Sequence, residues 1–260
     1  MVSVRRPDFG DGDANGGHAG AVGRELLLPA SPTRSMVPPL ALDIDGTLTT
    51  AAHRLDARIF EVLPDWEAPV VIATGKSFPY PVALCHFVGI PERVIAENGG
   101  VVCADDRLSF QGDRERAEAA IEAFRERGGD LGWGDVDTTN RWRETELAAS
   151  VDSDKALLEA VAADFDLDVV DTGYALHLKT PGVEKGAGLT AVADILGVPT
   201  DAFVAVGDSE NDVSLFETAG DSYAVANADD AAKDAAETTL GASYFDGTLS
   251  VLESLAAADR

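Results

Sequence analysis

Two aspartates two residues apart, Asp43 and Asp45, end the apolar run Leu40-Ala41-Leu42 and lead into Gly46-Thr47-Leu48-Thr49. In an extended segment side chains alternate, so both carboxylates leave on one side while Ile44 points away, and the pair shares one site. Carboxylates that close repel, and the pair is tolerated when a cation neutralises it or when one member holds a proton. Either solution is chemistry. Three other stretches offer matching groups. Thr74-Gly75-Lys76-Ser77 follows the apolar run Val70-Val71-Ile72-Ala73, Lys185 opens an amphipathic segment, and Asp208, Asn211 and Asp212 follow Phe203-Val204-Ala205-Val206-Gly207. Taken singly, Thr74-Gly75 could be a strand exit, Lys185 a surface lysine, and Asp208 a helix cap. A cap needs only one such residue, and three oxygen-rich side chains are present. Together the four stretches contain a nucleophile candidate, an acid/base candidate, a hydroxyl donor, a cation and a metal cage.

For these residues to meet, the elements between them must return the chain to one edge. A short helix is expected over 57–63, a strand over 70–73, a helix through 82–88 and a strand over 93–96 that closes on Glu97-Asn98-Gly99-Gly100. Strand, helix, strand, helix, strand is the pattern of an open parallel α/β sheet, in which ligands collect at the carboxyl ends of the strands. Residues 101–111 read as a hairpin. The pattern then changes to a charged helix over 114–127, a glycine-rich turn, Asn140-Arg141-Trp142-Arg143, a helix near 155–163, and strands over 167–170 and 174–179. This suggests a small α+β module inserted in the parent fold. The parent pattern resumes with a helix from Lys185 carrying Leu189, Val192, Ile195 and Leu196 on one face. Strands over 203–206 and 223–225 follow, and a last helix sets Leu249, Leu252 and Leu255 in register. The expected organisation is a flexible extension over 1–35, a catalytic core over 36–111 and 181–260, and a cap over 112–180.

The order and motifs over residues 36–260 resemble the haloacid dehalogenase superfamily of phosphotransferases. The resemblance implies an α/β fold with a Rossmann-like core, and a phosphatase that works through an aspartyl-phosphate. It implies that Asp43 attacks phosphorus, and that Asp45 protonates the leaving alkoxide and then activates water. Thr74 and Lys185 would hold phosphoryl oxygens, with Asn211 nearby. Asp43, the backbone carbonyl of Asp45 and Asp208 would bind Mg²⁺, with Asp212 supporting from behind. Such an oxygen-only donor set, without a nearby Cys or His, suits a hard cation. There are 28 residues between Asp45 and Thr74 and 110 between Thr74 and Lys185, which resembles the subfamily whose α+β cap follows the second motif. Within it, Glu97-Asn98-Gly99-Gly100 and the run Gly173 to Lys179 leading to Val183-Glu184-Lys185-Gly186 look most like the archaeal phosphoglycolate phosphatases. That substrate adds a carboxylate to its phosphate, so Arg141, Arg143, His177 and Lys179 are candidates to bind it. A sugar-phosphate phosphatase is the alternative within the class, and a phosphomutase or a non-catalytic phosphate-binding protein lies further off.

Charge narrows the partners. Acidic residues outnumber basic ones 46 to 20, for a formal net charge of -26, and the excess is dispersed along the chain. It repels nucleic acid and anionic membranes; the partner that the resemblance implies is a small phosphorylated metabolite. It suits molar salt, where a Debye length of about 3 Å screens self-repulsion, and the expected home is a halophilic cytoplasm. Cys85 and Cys103 are too few for a disulfide scaffold, and no apolar run approaches the roughly 20 residues of a membrane span. Within the extension, Arg5-Arg6 lacks the apolar segment of an export signal. The run from Asp11 to Gly16 has Val22 where a calcium loop needs glutamate. Met36 stands where the core begins and is a candidate start site.

Overall fold

The computed structural model describes residues 37–258; the extension expected over 1–35, its two rejected motifs and Met36 lie outside the described residues. From Leu40 the chain alternates strand and helix as β1 (Leu40–Leu42), α1 (Ile59–Val62), β2 (Val70–Ala73), α2 (Pro79–Val88) and β3 (Val94–Ala96). The three strands are buried at every residue, as the continuous apolar runs require of strands covered on both faces. α2 begins earlier than the apolar pattern predicts because Pro79 stands in its first turn, where the missing N–H has no intrahelical partner to lose. It ends at Gly89, whose φ of 86° is left-handed. The predicted hairpin is β4 (Val101–Ala104) and β5 (Arg107–Phe110). Asp105 and Asp106 turn it at φ of 45° and 63°, the backbone sign that matches the twist of two-residue hairpin loops.

The next stretch forms its own sheet. It runs α3 (Arg114–Glu126), β6 (Leu147–Ser150), α4 (Lys155–Asp164), β7 (Asp168–Asp171) and β8 (Ala175–Lys179). The strands are antiparallel in the order β6-β8-β7. Ile121 and Phe124 of α3 and Leu158 and Val161 of α4 bury with Leu176 and Leu178 in a hydrophobic cluster separate from that of the main sheet. Asp113 and Asp154 cap the two helices by accepting the backbone N–H groups of Arg116 and Leu157. The sequence reading did not single out β6. Leu-Ala-Ala-Ser has little strand propensity, and pairing of Leu147 with Leu178 through Ser150 with Ala175 holds it in place.

The remainder comprises α5 (Lys185–Leu196), β9 (Val204–Gly207), α6 (Val213–Thr218), β10 (Asp221–Ala224), α7 (Asp230–Ala235), β11 (Thr238–Thr239) and α8 (Tyr244–Ala258). The main sheet has the order β11-β10-β9-β1-β2-β3-β4-β5. It is parallel from β11 to β3, and the hairpin extends it antiparallel at one edge. The expected parallel sheet is therefore a mixed one. β1 lies between β2 and β9, so the carboxyl ends of these three strands are adjacent, and the chain leaves them at Asp43, Thr74 and Asp208. Among the described residues no helix is long and apolar enough to cross a membrane.

Candidate active site

Asp43 continues the pairing of β1, its N–H donating to Val206 O at 3.0 Å, and its carboxylate is buried beneath the strand ends. Lys185, the first residue of α5, is fully buried behind it. The Lys185 Nζ donates to Asp43 Oδ1 at 2.7 Å, to Asp212 Oδ1 at 2.7 Å and to Asn211 Oδ1 at 3.3 Å. Three donors thus meet three protein acceptors. Asp212 Oδ2 accepts the backbone N–H groups of Asp208 and Ser209, which locks the turn after β9. Asp208 Oδ1 receives the Thr47 hydroxyl at 3.3 Å. The loops carrying Asp45 and Asp208 approach so closely that a Cβ on Gly46 would sit 1.9 Å from Asp208 Oδ2, and Gly46 has a φ of 84°. Only glycine satisfies both conditions.

Asp43, Asp208 and Asp212 present carboxylate oxygens within 4.8 Å of one another. Against them stands one ammonium, so three ionised carboxylates leave two negative charges uncompensated in a buried place. Burial, followed by the Lys185 attraction working against it and the repulsion of Asp212 and Asp45, leaves the Asp43 carboxyl raised well above the usual carboxylate range. Burial and then the Asp43 charge raise Asp208 in the same way. The Asp212 and Asp43 charges hold Lys185 above the ordinary lysine range although burial opposes them. An all-oxygen cluster with two surplus negative charges fits a hard divalent cation. Asp212 has both oxygens engaged, so Asp43 and Asp208 are the residues with capacity to bind one.

Asp45 was expected to share one site with Asp43 and to offer the metal its backbone carbonyl. It does share the cavity wall with Asp43, but its carboxylate lies outside the three-aspartate group and pairs with Lys76 Nζ at 2.9 Å. Lys76, which sequence reasoning passed over, is in turn near the Tyr80 ring. Thr74 is buried at the end of β2 and lines the same cavity, as does Asn211. Lys185, expected to hold a phosphoryl oxygen, directs its Nζ to Asp43, Asn211 and Asp212.

The cavity, about 210 Å³, lies between these strand ends and the small sheet; His177 of β8, with Arg143 before β6 and Tyr174 before β8, contributes to its wall. Of the four candidate cations, Arg143 and His177 line it. Arg141 is exposed. Lys179 instead lines a second cavity and donates to Val183 O. Alternation had set His177 and Lys179 on one face, but two residues of travel along β8 separate the cavities they reach. The turn after β3 joins the two sheets. Glu97 and Asn98 both hold positive φ (51° and 55°). The buried Glu97 carboxylate accepts the N–H groups of Glu144 and Thr145 and the Thr145 hydroxyl. Asn98 Oδ1 accepts from Asn211 Nδ2 at 2.9 Å.

A profile of haloacid dehalogenase-like hydrolases matches residues 40–139 and 137–252, and the chain belongs to that family. The phosphoglycolate phosphatase of Halorubrum lacusprofundi is 66% identical to it over 85% of this chain and 98% of that protein. The phosphoglycolate phosphatase of Halobacterium salinarum is 56% identical over 83% and 96%. A crystal structure from Thermoplasma acidophilum shares the fold, with a TM-score of 0.74 at 24% identity over 85% of this chain and 99% of that one. The α/β class and the superfamily resemblance are thereby borne out, and the halophilic composition agrees with the haloarchaeal relatives.

Proposed function

We propose that the protein is a Mg²⁺-dependent phosphomonoester hydrolase that converts 2-phosphoglycolate to glycolate in a halophilic cytoplasm, with the inserted module over 112–180 acting as a cap on the core over 36–111 and 181–260. The observation that carries this reading is Asp43, on the wall of the cavity with one oxygen held 2.7 Å from Lys185 Nζ and therefore oriented as a nucleophile.

In the first step an Asp43 oxygen attacks phosphorus, the bond from phosphorus to the ester oxygen breaks, and Asp45 gives that oxygen its proton. In the second, Asp45 takes a proton from water, which attacks the aspartyl-phosphate and frees phosphate and the Asp43 carboxylate. Lys76, 2.9 Å from the Asp45 carboxylate, holds that side chain in place. Thr74 and Asn211 are assigned to the phosphoryl oxygens, and Lys185 to the alignment of Asp43 and the balance of charge. Asp43, Asp208 and the Asp45 carbonyl would hold Mg²⁺, with Asp212 fixing the Asp208 loop. When bound, the ion supplies positive charge against both the carboxylates and the phosphoryl group. A cavity of about 210 Å³ is smaller than the roughly 300–1,000 Å³ of sites for drug-sized ligands. This supports a short phosphate ester over a hexose phosphate.

The test is phosphate release from phosphoglycolate, a panel of sugar phosphates and p-nitrophenyl phosphate in molar KCl, with and without Mg²⁺. Mg²⁺-dependent release that favours phosphoglycolate is expected. Preference for a sugar phosphate would move the substrate and keep the chemistry, and no release by folded protein would remove both.

A further inference from the structure

Arg143, Glu146 and His177 form a second polar cluster on the module side of the same cavity. Glu146 is almost completely buried. Its Oε1 takes an ion pair from Arg143 Nη1 and meets His177 Nδ1 at 2.6 Å, while Asn98 Nδ2 donates to Oε2 at 3.0 Å. Arg143 Nη1 also donates to Gly75 O at 3.0 Å, next to Thr74, and so ties the guanidinium to the floor of the cavity. These contacts use one nitrogen. Arg143 Nε is buried without a partner, and Nη2 donates to no described residue. The Nε–Nη2 edge of a guanidinium is a planar pair of donors matched to the two oxygens of a carboxylate. A buried donor left unpaired is unfavourable until something accepts from it.

We propose that the free edge of Arg143, held in position by Glu146, binds a carboxylate on the substrate, so that the enzyme acts on short phosphomonoesters with an anionic tail. This rests on the phosphatase reading and adds the residue that selects within it. Glu146 is a positioning residue. His177 and Asn98 approach it from other sides and fix its orientation, so that Arg143 keeps one rotamer with its edge unspent. Arg141 and Lys179, one exposed and the other on the second cavity, have no part in the subsite.

The experiment compares 2-phosphoglycolate with ethyl phosphate, which has the same phosphoryl group and two-carbon chain but no carboxylate. The ratio of their kcat/KM values is measured for the wild type, Arg143→Met and Arg143→Lys at fixed Mg²⁺ and KCl. Lysine keeps the charge but not the paired donors. In both variants the ratio should fall by at least about 30-fold, chiefly through KM, as expected for loss of a charge-assisted bidentate contact. Glu146→Gln should lower it by a smaller factor. A ratio unchanged within about threefold in Arg143→Lys, or a wild-type ratio near one, would overturn the proposal. If Arg143→Met does not fold because Glu146 is left unpaired, Arg143→Lys carries the test. Calorimetric binding of the same two esters separates the two readings. A preference for phosphoglycolate that disappears in Arg143→Lys, in a protein that turns over neither ester, would sink the phosphatase reading alone. No preference in binding or turnover would sink the subsite.

Discussion

The two polar clusters that meet in the cavity handle charge in opposite ways. On the main sheet, Asp43, Asp208 and Asp212 surround a single Lys185, and Asp43 and Asp208 are raised out of the usual carboxylate range. On the module, one Glu146 is met by Arg143, His177 and Asn98. There the His177 and Arg143 attractions overcome the burial that would raise it and hold Glu146 below its ordinary value. The first cluster has a charge deficit that a cation can fill. The second is balanced in charge, and what it offers a ligand is the unused edge of a residue already fixed in place. Under the proposed function the cation and the phosphoryl chemistry belong to the surplus of like charge, and under the further inference selection belongs to the balanced pair.

Lys185→Met is the most direct way to break this contrast. It leaves three buried carboxylates without their ammonium, and a loss of about 3–5 kcal/mol is expected, measured by denaturant unfolding in molar KCl without Mg²⁺. A variant as stable as the wild type would mean that the carboxylates do not carry the surplus charge. Titration sharpens the contrast at intermediate scale. Asp43 is raised from 3.8 to about 7, so between those values the folded protein binds a proton that the unfolded chain has released. The metal-free protein therefore loses stability from this group as pH rises through that window. Mg²⁺ must displace the protons of both Asp43, raised to about 7, and Asp208, raised to about 9, so its apparent affinity should tighten with pH through 7 and on toward 9, approaching tenfold per pH unit for each proton released. Fluorescence or calorimetric titration at pH 6, 7 and 8 would read this, and a flat profile would contradict it. The smallest effect is assigned to Arg141→Ala, within about twofold of wild type in kcat/KM for phosphoglycolate, because the side chain is exposed and outside the cavity.

The same contrast governs what could be read from the sequence. Asp43, Thr74, Lys185, Asp208, Asn211 and Asp212 were legible because each follows an apolar run or opens an amphipathic one, and a parallel sheet delivers strand ends to one edge. Asp45 was legible as a neighbour of Asp43, but its pairing with Lys76 was not, since that depends on how two loops lean together. The module was harder. β6 is four residues with two alanines, and its strand character comes from β8 beside it. Glu146 takes its meaning from Asn98, 48 positions away, and from His177, 31 away, distances at which local patterning carries no signal. The expectation that Lys179 joins His177 failed because alternation along one strand assigns a face and not a cavity. Short elements such as β11 and α7 escaped for lack of length.

The proposed chemistry depends first on Asp43 as the nucleophile. It is tested most directly by mixing enzyme, Mg²⁺ and phosphoglycolate, quenching in acid within the first turnovers, and measuring the mass of the peptide that contains Asp43. A phosphoryl group is expected on Asp43 in the wild type, and its absence together with a fall in kcat of at least about 10⁴-fold in Asp43→Asn. Rapid turnover by Asp43→Asn, or a phosphoryl group on another residue, would contradict it.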